Sequence, residues 1–250
     1  MQLDFWEWVV AILAAISVGL AKGGLSMVGT ISVPLMALVM SPVQAAGMLL
    51  PVYILSDIGG LLVYRKHVER AVLLRLLPGA VLGIGLGWAT ASLVSDQVVE
   101  LVVGVIGLAF ALNALLRRGV EARARRPDWG RGSFWGMVAG YTSFVAHAGA
   151  APYQVYAQPL KMQPLVFAGT TTVFFAICNW IKLVPYAAMG QLSAENLKVA
   201  AILTLPALVA VRLGIWIVRR MSPGLFYGLI TWMLLAVSLR LIWSSVAALI

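Results

Sequence analysis

Apolar residues fall along this chain in long blocks, without the alternation of a half-buried strand or the single stripe of a soluble amphipathic helix. Six blocks are uninterrupted and long enough to cross a membrane, at residues 44–64, 72–94, 98–116, 164–187, 197–218 and 224–243. Two more, 9–39 and 133–160, are interrupted. The first carries Ala21-Lys22-Gly23-Gly24 and the second Ala146-His147-Ala148-Gly149-Ala150. A spanning helix takes roughly 20 apolar residues, so residues 8–20 or 133–145 alone would reach only about two-thirds of the way across. The pattern predicts that both helices break inside the bilayer. Lipid tolerates such a break only where protein or a solvated cavity satisfies the released backbone groups, which makes the paired breaks the expected binding region.

Composition agrees with an all-α polytopic membrane protein. Of 250 residues, 62% are hydrophobic and 11% charged, and mean hydropathy is +0.96. A soluble domain carries about 25% charged residues. The single cysteine, Cys178, has no internal disulfide partner, and no cysteine pair has metal-ligand spacing. The N-terminus bears Asp4 and Glu7 where a secretory signal would be basic, so the first block is expected to be retained. The net charge of +9 does not point to nucleic acid, because its carriers flank the blocks. Arg65, Lys66 and Arg70 lie in one loop, Arg117, Arg118, Arg123, Arg125, Arg126 and Arg131 in the main polar linker, and Arg219 and Arg220 at the end of another block. Such loops are expected on the cytoplasmic side of a bacterial inner membrane, with anionic lipid contact a secondary role for the linker.

The interrupted blocks begin two halves of similar plan. Pro42, Gly47, Asp57 and Tyr64 recur at one offset as Pro164, Gly169, Asn179 and Tyr186, and Pro78 and Trp88 are spaced as Pro206 and Trp216 are. The order of these matches predicts a duplication, with a first repeat over 1–116, a basic linker over 117–131 and a second repeat over 132–250. If each interrupted block is a hairpin entering and leaving on one face, the repeats are inverted and all three basic loops are cytoplasmic. If each crosses once, there are eight crossings and the basic loops divide between the two sides. Gln191 would be outside in the first arrangement and inside in the second.

Several residues are out of place in an apolar span. Lys22, Gly23 and Gly24 put a cation beside flexible backbone, where amides at the start of a following helix would stabilise an anion. In the second break, His147 is a candidate for proton coupling, and Gly149, Tyr153 and Gln154 extend it with flexible backbone and donors. Thr171 offers a hydroxyl that is equally able to bond its own helix. Arg212 is the deepest clear charge and Asp57 the only acidic residue well inside a block, so the two are expected to form a structural ion pair, with Arg212 also a substrate contact. Asn179, Lys182 and Tyr186 share a helical face. Lys182 is expected either to attract anions at an outer vestibule or to snorkel. No nucleophile, base and orienting residue form a catalytic constellation and no metal cluster is evident.

The chain resembles the TauE/SafE family, often described as sulfite exporters. The resemblance rests on Gly19-Leu20-Ala21-Lys22-Gly23-Gly24, Val33-Pro34, Pro42-Val43-Gln44-Ala45-Ala46-Gly47, the run Pro78-Gly79-Ala80-Val81-Leu82-Gly83-Ile84-Gly85-Leu86-Gly87, and the second hydrophobic half. It implies a secondary transporter of sulfite, sulfonates or other small organic anions, without a cofactor. The residues lead to the same class. A small anion would dock between the interrupted blocks, held by Lys22 with His147 and Tyr153 as directional donors, and a proton is the expected coupling ion. An anion-selective channel is the alternative.

Overall fold

The computed structural model describes residues 4–40, 42–90, 93, 95–116, 124–145, 147–190 and 192–249. Arg117, Arg118, Arg123, Ala146 and Gln191 lie outside the described residues. The described residues are helical apart from their turns and connections, and seven helices are long and apolar enough to cross a membrane.

The first helix, α1 (Phe5–Lys22), starts before its apolar block and runs to the break. Asp4 caps it, its carboxylate accepting from the Glu7 N–H at 2.7 Å while Glu7 accepts from the Asp4 N–H at 2.8 Å. This reciprocal cap accounts for the two acidic residues and contributes on the order of 1 kcal/mol. At 18 residues, about 27 Å, α1 comes close to a full crossing, so the expected shortfall before the break does not arise there. Beyond Lys22 the chain reverses. Gly24 sits at φ +114, a conformation that a side chain would strain. A 3₁₀ turn over Ser26–Ile31 and the short α2 (Ser32–Met36) then run back along α1. Gly29 lies against Ala21, while Val33 and Met36 share a core with Ala11, Ala14, Ala15 and Val18.

The second interrupted block behaves alike. After α3 (Pro42–Tyr64), α4 (Arg70–Thr90) and α5 (Asp96–Leu116), the helix α6 (Trp129–Val145) ends at a bend through His147 and is followed by α7 (Ala150–Ala157) and a 3₁₀ turn over Gln158–Leu160. The end of this segment returns to the start of α6. Tyr156 donates its hydroxyl to the Asp128 carbonyl at 3.3 Å, and the Arg125 N–H donates to the Pro159 carbonyl at 3.0 Å. Three long helices complete the chain: α8 (Pro164–Ala188), α9 (Ala194–Arg220) and α10 (Pro223–Leu249).

The helices form two compact units, Met1–Val68 with Leu165–Met221, and Glu69–Pro164 with Ser222–Ile250. In the first, α1 packs closely on α9: a Cβ added to Gly19 would strike the Ala207 carbonyl, and one on Gly23 would strike the backbone of Val211 and Gly214. In the second, α4 packs on α6, where Gly79 and Gly83 meet the backbone of Ser133 and Met137, and Gly136 and Gly140 meet that of Leu76 and Ala80. Small residues suit this setting because lipid is as apolar as leucine, so helices gain by close backbone approach and dispersion rather than by leaving water. Many large apolar side chains also point outward, among them Leu62, Leu82, Leu205 and Val209.

Candidate functional site

The first break builds a buried polar cluster from three helices. Lys22, at the last turn of α1, reaches Asp57 on α3, with its Nζ 2.6 Å from the carboxylate. Asn179 on α8 donates its side-chain amide to the other carboxylate oxygen at 2.9 Å. Lys22 and Asp57 are only 4% and 0% exposed, so a charge left alone there would cost several kcal/mol. Lys182, one turn beyond Asn179, is also buried and interacts electrostatically with both Asp57 and Lys22. Two buried lysines therefore lie near the Asp57 carboxylate, and Lys22 pairs with it directly.

Aromatic and small residues complete the surroundings. The Lys22 ammonium lies 5.0 Å from the centre of the Tyr53 ring, a favourable arrangement for a cation. Tyr53 and Asp57 are four residues apart on α3 and so present one face. The Tyr53 hydroxyl is held by Ser32 at 2.6 Å and by the Gly29 carbonyl at 3.0 Å, which ties the returning segment to α3. Tyr64 donates to the Gly23 carbonyl at 2.7 Å, and Thr172 donates to the Lys22 carbonyl at 3.3 Å. Gly60 lets these backbones meet, since a Cβ there would press on Thr172 and the Lys22 carbonyl.

Three expectations for this region are corrected. Asp57 takes Lys22 as its ion-pair partner rather than Arg212, which is exposed. The reason is the rotation of α9: Val211 and Gly214 face Gly23, and Arg212, one residue on, turns outward toward the face that carries Val209 and Trp216. The amides expected to await an anion donate instead to the end of α1, from Gly23 to Gly19, from Gly24 to Ala21 and from Leu25 to Leu20. Lys182 neither snorkels nor lines an outer vestibule, because it is 1% exposed. Thr171 is buried and donates to the Phe167 carbonyl at 2.7 Å within its own helix. Sequence does not single out Tyr53 or Ser32 as site residues.

The second break belongs to the other unit. His147 is half-buried and adopts φ +50, an uncommon conformation for a residue with a side chain. Gly149 immediately precedes α7, whose Tyr153 and Gln154 are fully buried. Gln154 accepts from the Gln158 amide at 2.8 Å, and Thr231 on α10 donates to Gln158 at 3.3 Å. The described residues contain no group of three or more side chains placed to hold a metal ion.

A family model described as sulfite exporter TauE/SafE matches residues 10–241. No curated protein and no solved structure matches the chain.

Proposed function

The chain belongs to the TauE/SafE family and is a multi-pass membrane transporter of the bacterial inner-membrane type, and from this premise we propose that it is a secondary transporter of a small sulfur-containing or organic oxyanion. The observation that carries the reading is the buried cluster in which Lys22 pairs with the Asp57 carboxylate, with a second buried lysine, Lys182, one turn beyond Asn179. An oxyanion entering this cluster meets a buried ammonium as its counterion. It accepts from the Lys22 ammonium, which exchanges one anionic partner for another, while Asn179 keeps Asp57 hydrogen-bonded. Exchange of partners keeps the Lys22 ammonium paired throughout, so that the cation is never left alone in a medium of low dielectric.

The breaks are proposed as re-entrant hairpins in two inverted repeats. The return of α2 along α1 and of α7 along α6 supports this, as does the charge of the loops, since hairpins put Arg65, Lys66, Arg219 and Arg220 on one side. The packing follows the repeat: α1 lies on α9 and α6 on α4, so each broken helix packs against the second long helix of the other half. His147, in the second break, is the proposed proton-coupling group, because its side-chain type titrates near neutral pH.

The test is reconstitution of the purified protein in liposomes without ATP. Saturable exchange of sulfite, a sulfonate or a small carboxylate is the expected result. Transport of only neutral or cationic solutes would reject the proposal, and large unitary currents without saturation would replace the carrier by a channel.

A further inference from the structure

Within the second unit, a cavity of about 740 Å³ lies between the end of α5, the chain preceding α6, the end of the α7 segment and the start of α10. Among the described residues, four cations line it, Arg125, Arg126, Arg131 and Lys161, together with the carboxylate of Asp128. All four cations are exposed, and Asp128 already accepts from the Arg131 N–H at 2.8 Å at the start of α6. Its walls are tied together by the Arg125–Pro159 and Tyr156–Asp128 hydrogen bonds and by Tyr227, which donates to the Met162 carbonyl at 2.6 Å. Gln158 and Thr231 add buried polar groups, while Phe110, Leu115 and Trp135 make part of the wall apolar.

We propose that this cavity binds the phosphate of an anionic phospholipid headgroup, with Arg125, Arg126, Arg131 and Lys161 as its cationic contacts. Clustered cations repel one another, and a phosphate removes that repulsion while accepting several charge-assisted hydrogen bonds. The volume falls in the range of sites for sizeable ligands, roughly 300–1,000 Å³, and a sulfite-sized ion would leave most of it empty. The mixture of cations with an apolar wall suits an amphiphile. The cavity also lies at the ends of α5 and α10, both apolar enough to span a membrane, which places it at headgroup level. A bound headgroup would join Arg125 and Arg126, the base of the second broken helix and α10, and so would hold that broken segment at its base. This inference is independent of the transported substrate.

The experiment measures retention of labelled phosphatidylglycerol by the purified full-length protein in detergent, with phosphatidylcholine as the neutral control and inorganic phosphate as a soluble competitor. The charge-removing pair Arg131→Gln and Lys161→Gln is compared with the charge-preserving pair Arg131→Lys and Lys161→Arg. Wild type is expected to retain phosphatidylglycerol saturably and in preference to phosphatidylcholine. At about fivefold per surface charge, the first pair should weaken retention by about twenty-fivefold and the second should restore most of it. Phosphate binding that is lost in the first pair, without lipid retention, would keep the phosphate site and assign it to a soluble anion. Equal retention by wild type and the charge-removing pair, or binding of neither lipid nor phosphate, would overturn the proposal.

Discussion

Asn179 donates its side-chain amide to Asp57 across 2.9 Å, and the two residues hold matching positions in the proposed repeat. In that proposal, equivalent residues touch directly only near the axis relating the two repeats. A pair of aspartates there would repel, and a pair of asparagines would leave Lys22 without its carboxylate. The combination of one acid and one amide satisfies both constraints.

Exchanging the two should therefore preserve what breaking them destroys. Asn179→Asp alone sets two carboxylates at hydrogen-bonding distance and is expected to lower thermal stability. The double change Asp57→Asn with Asn179→Asp moves the single carboxylate from α3 to α8, still near both lysines. It should recover much of the loss, whereas single Asp57→Asn should lose on the order of 3–5 kcal/mol, the usual cost of stripping one partner from a buried ion pair. Thermal unfolding in one detergent compares the three, and a double variant no more stable than Asn179→Asp would contradict the proposed placement near a common axis.

Lys22→Met keeps the length of the side chain and removes its charge. Asp57 then loses its 2.6 Å partner, so the variant should be destabilised and should lose at least tenfold in anion affinity. Adding Asp57→Asn separates these effects: the buried carboxylate is gone and stability should return, but the cation that binds the anion is still missing. Isothermal titration with the transported anion and thermal unfolding decide between them. Affinity that returns together with stability would mean that Lys22 serves folding alone.

The break at Lys22 was legible because a lysine between apolar residues and a following glycine pair have few other uses in a span. Its partner was not. In a soluble protein an apolar stripe marks the buried face, but in lipid both faces of a helix are apolar and hydrophobicity does not set its rotation. Arg212 and Val211 are neighbours in sequence, yet one is exposed and the other packs toward Gly23. Lys182 was misplaced for the same reason, since depth along α8 says nothing of which side the lysine faces. Glycine spacing held more information than it first disclosed: the run Pro78–Gly87 had served as a family resemblance, whereas three of its glycines face α6.

That distinction can be measured within one helix. Gly83 and Gly85 are both in α4, but a Cβ on Gly83 would strike the Met137 backbone, while Gly85 has nothing within 4 Å. Gly83→Ala should push α4 and α6 apart and lower thermal stability. Gly85→Ala should be neutral or stabilising by up to about 1 kcal/mol, the ordinary helix preference of alanine over glycine. Equal losses at the two positions would show that helix flexibility, rather than close packing on α6, accounts for the glycines.

Cysteine labelling tests the hairpins. Native Cys178 is buried and is first replaced by alanine to leave a clean background. In intact cells, an impermeant thiol reagent should then label Gln191→Cys from outside and leave Arg220→Cys unlabelled until the membrane is opened. This is the arrangement that unites the basic loops on one side. Protection of Gln191→Cys together with labelling of Arg220→Cys would reject the re-entrant hairpins in favour of eight crossings.

His147 is the remaining candidate for coupling, and its role can be separated from packing. It occupies φ +50 at the bend before α7, so any replacement shares that backbone demand, and asparagine accepts this conformation more readily than most residues. His147→Asn therefore controls for the bend, and His147→Gln keeps a longer polar side chain; neither titrates in the physiological range. If His147 carries the coupling proton, both variants should bind the anion within a few-fold of wild type, and anion uptake should lose its dependence on an imposed pH gradient. Uptake is measured in liposomes with and without that gradient at equal internal pH. Retained gradient dependence in both variants would remove His147 from coupling, and loss of binding in Gln but not Asn would assign it to the geometry of the bend.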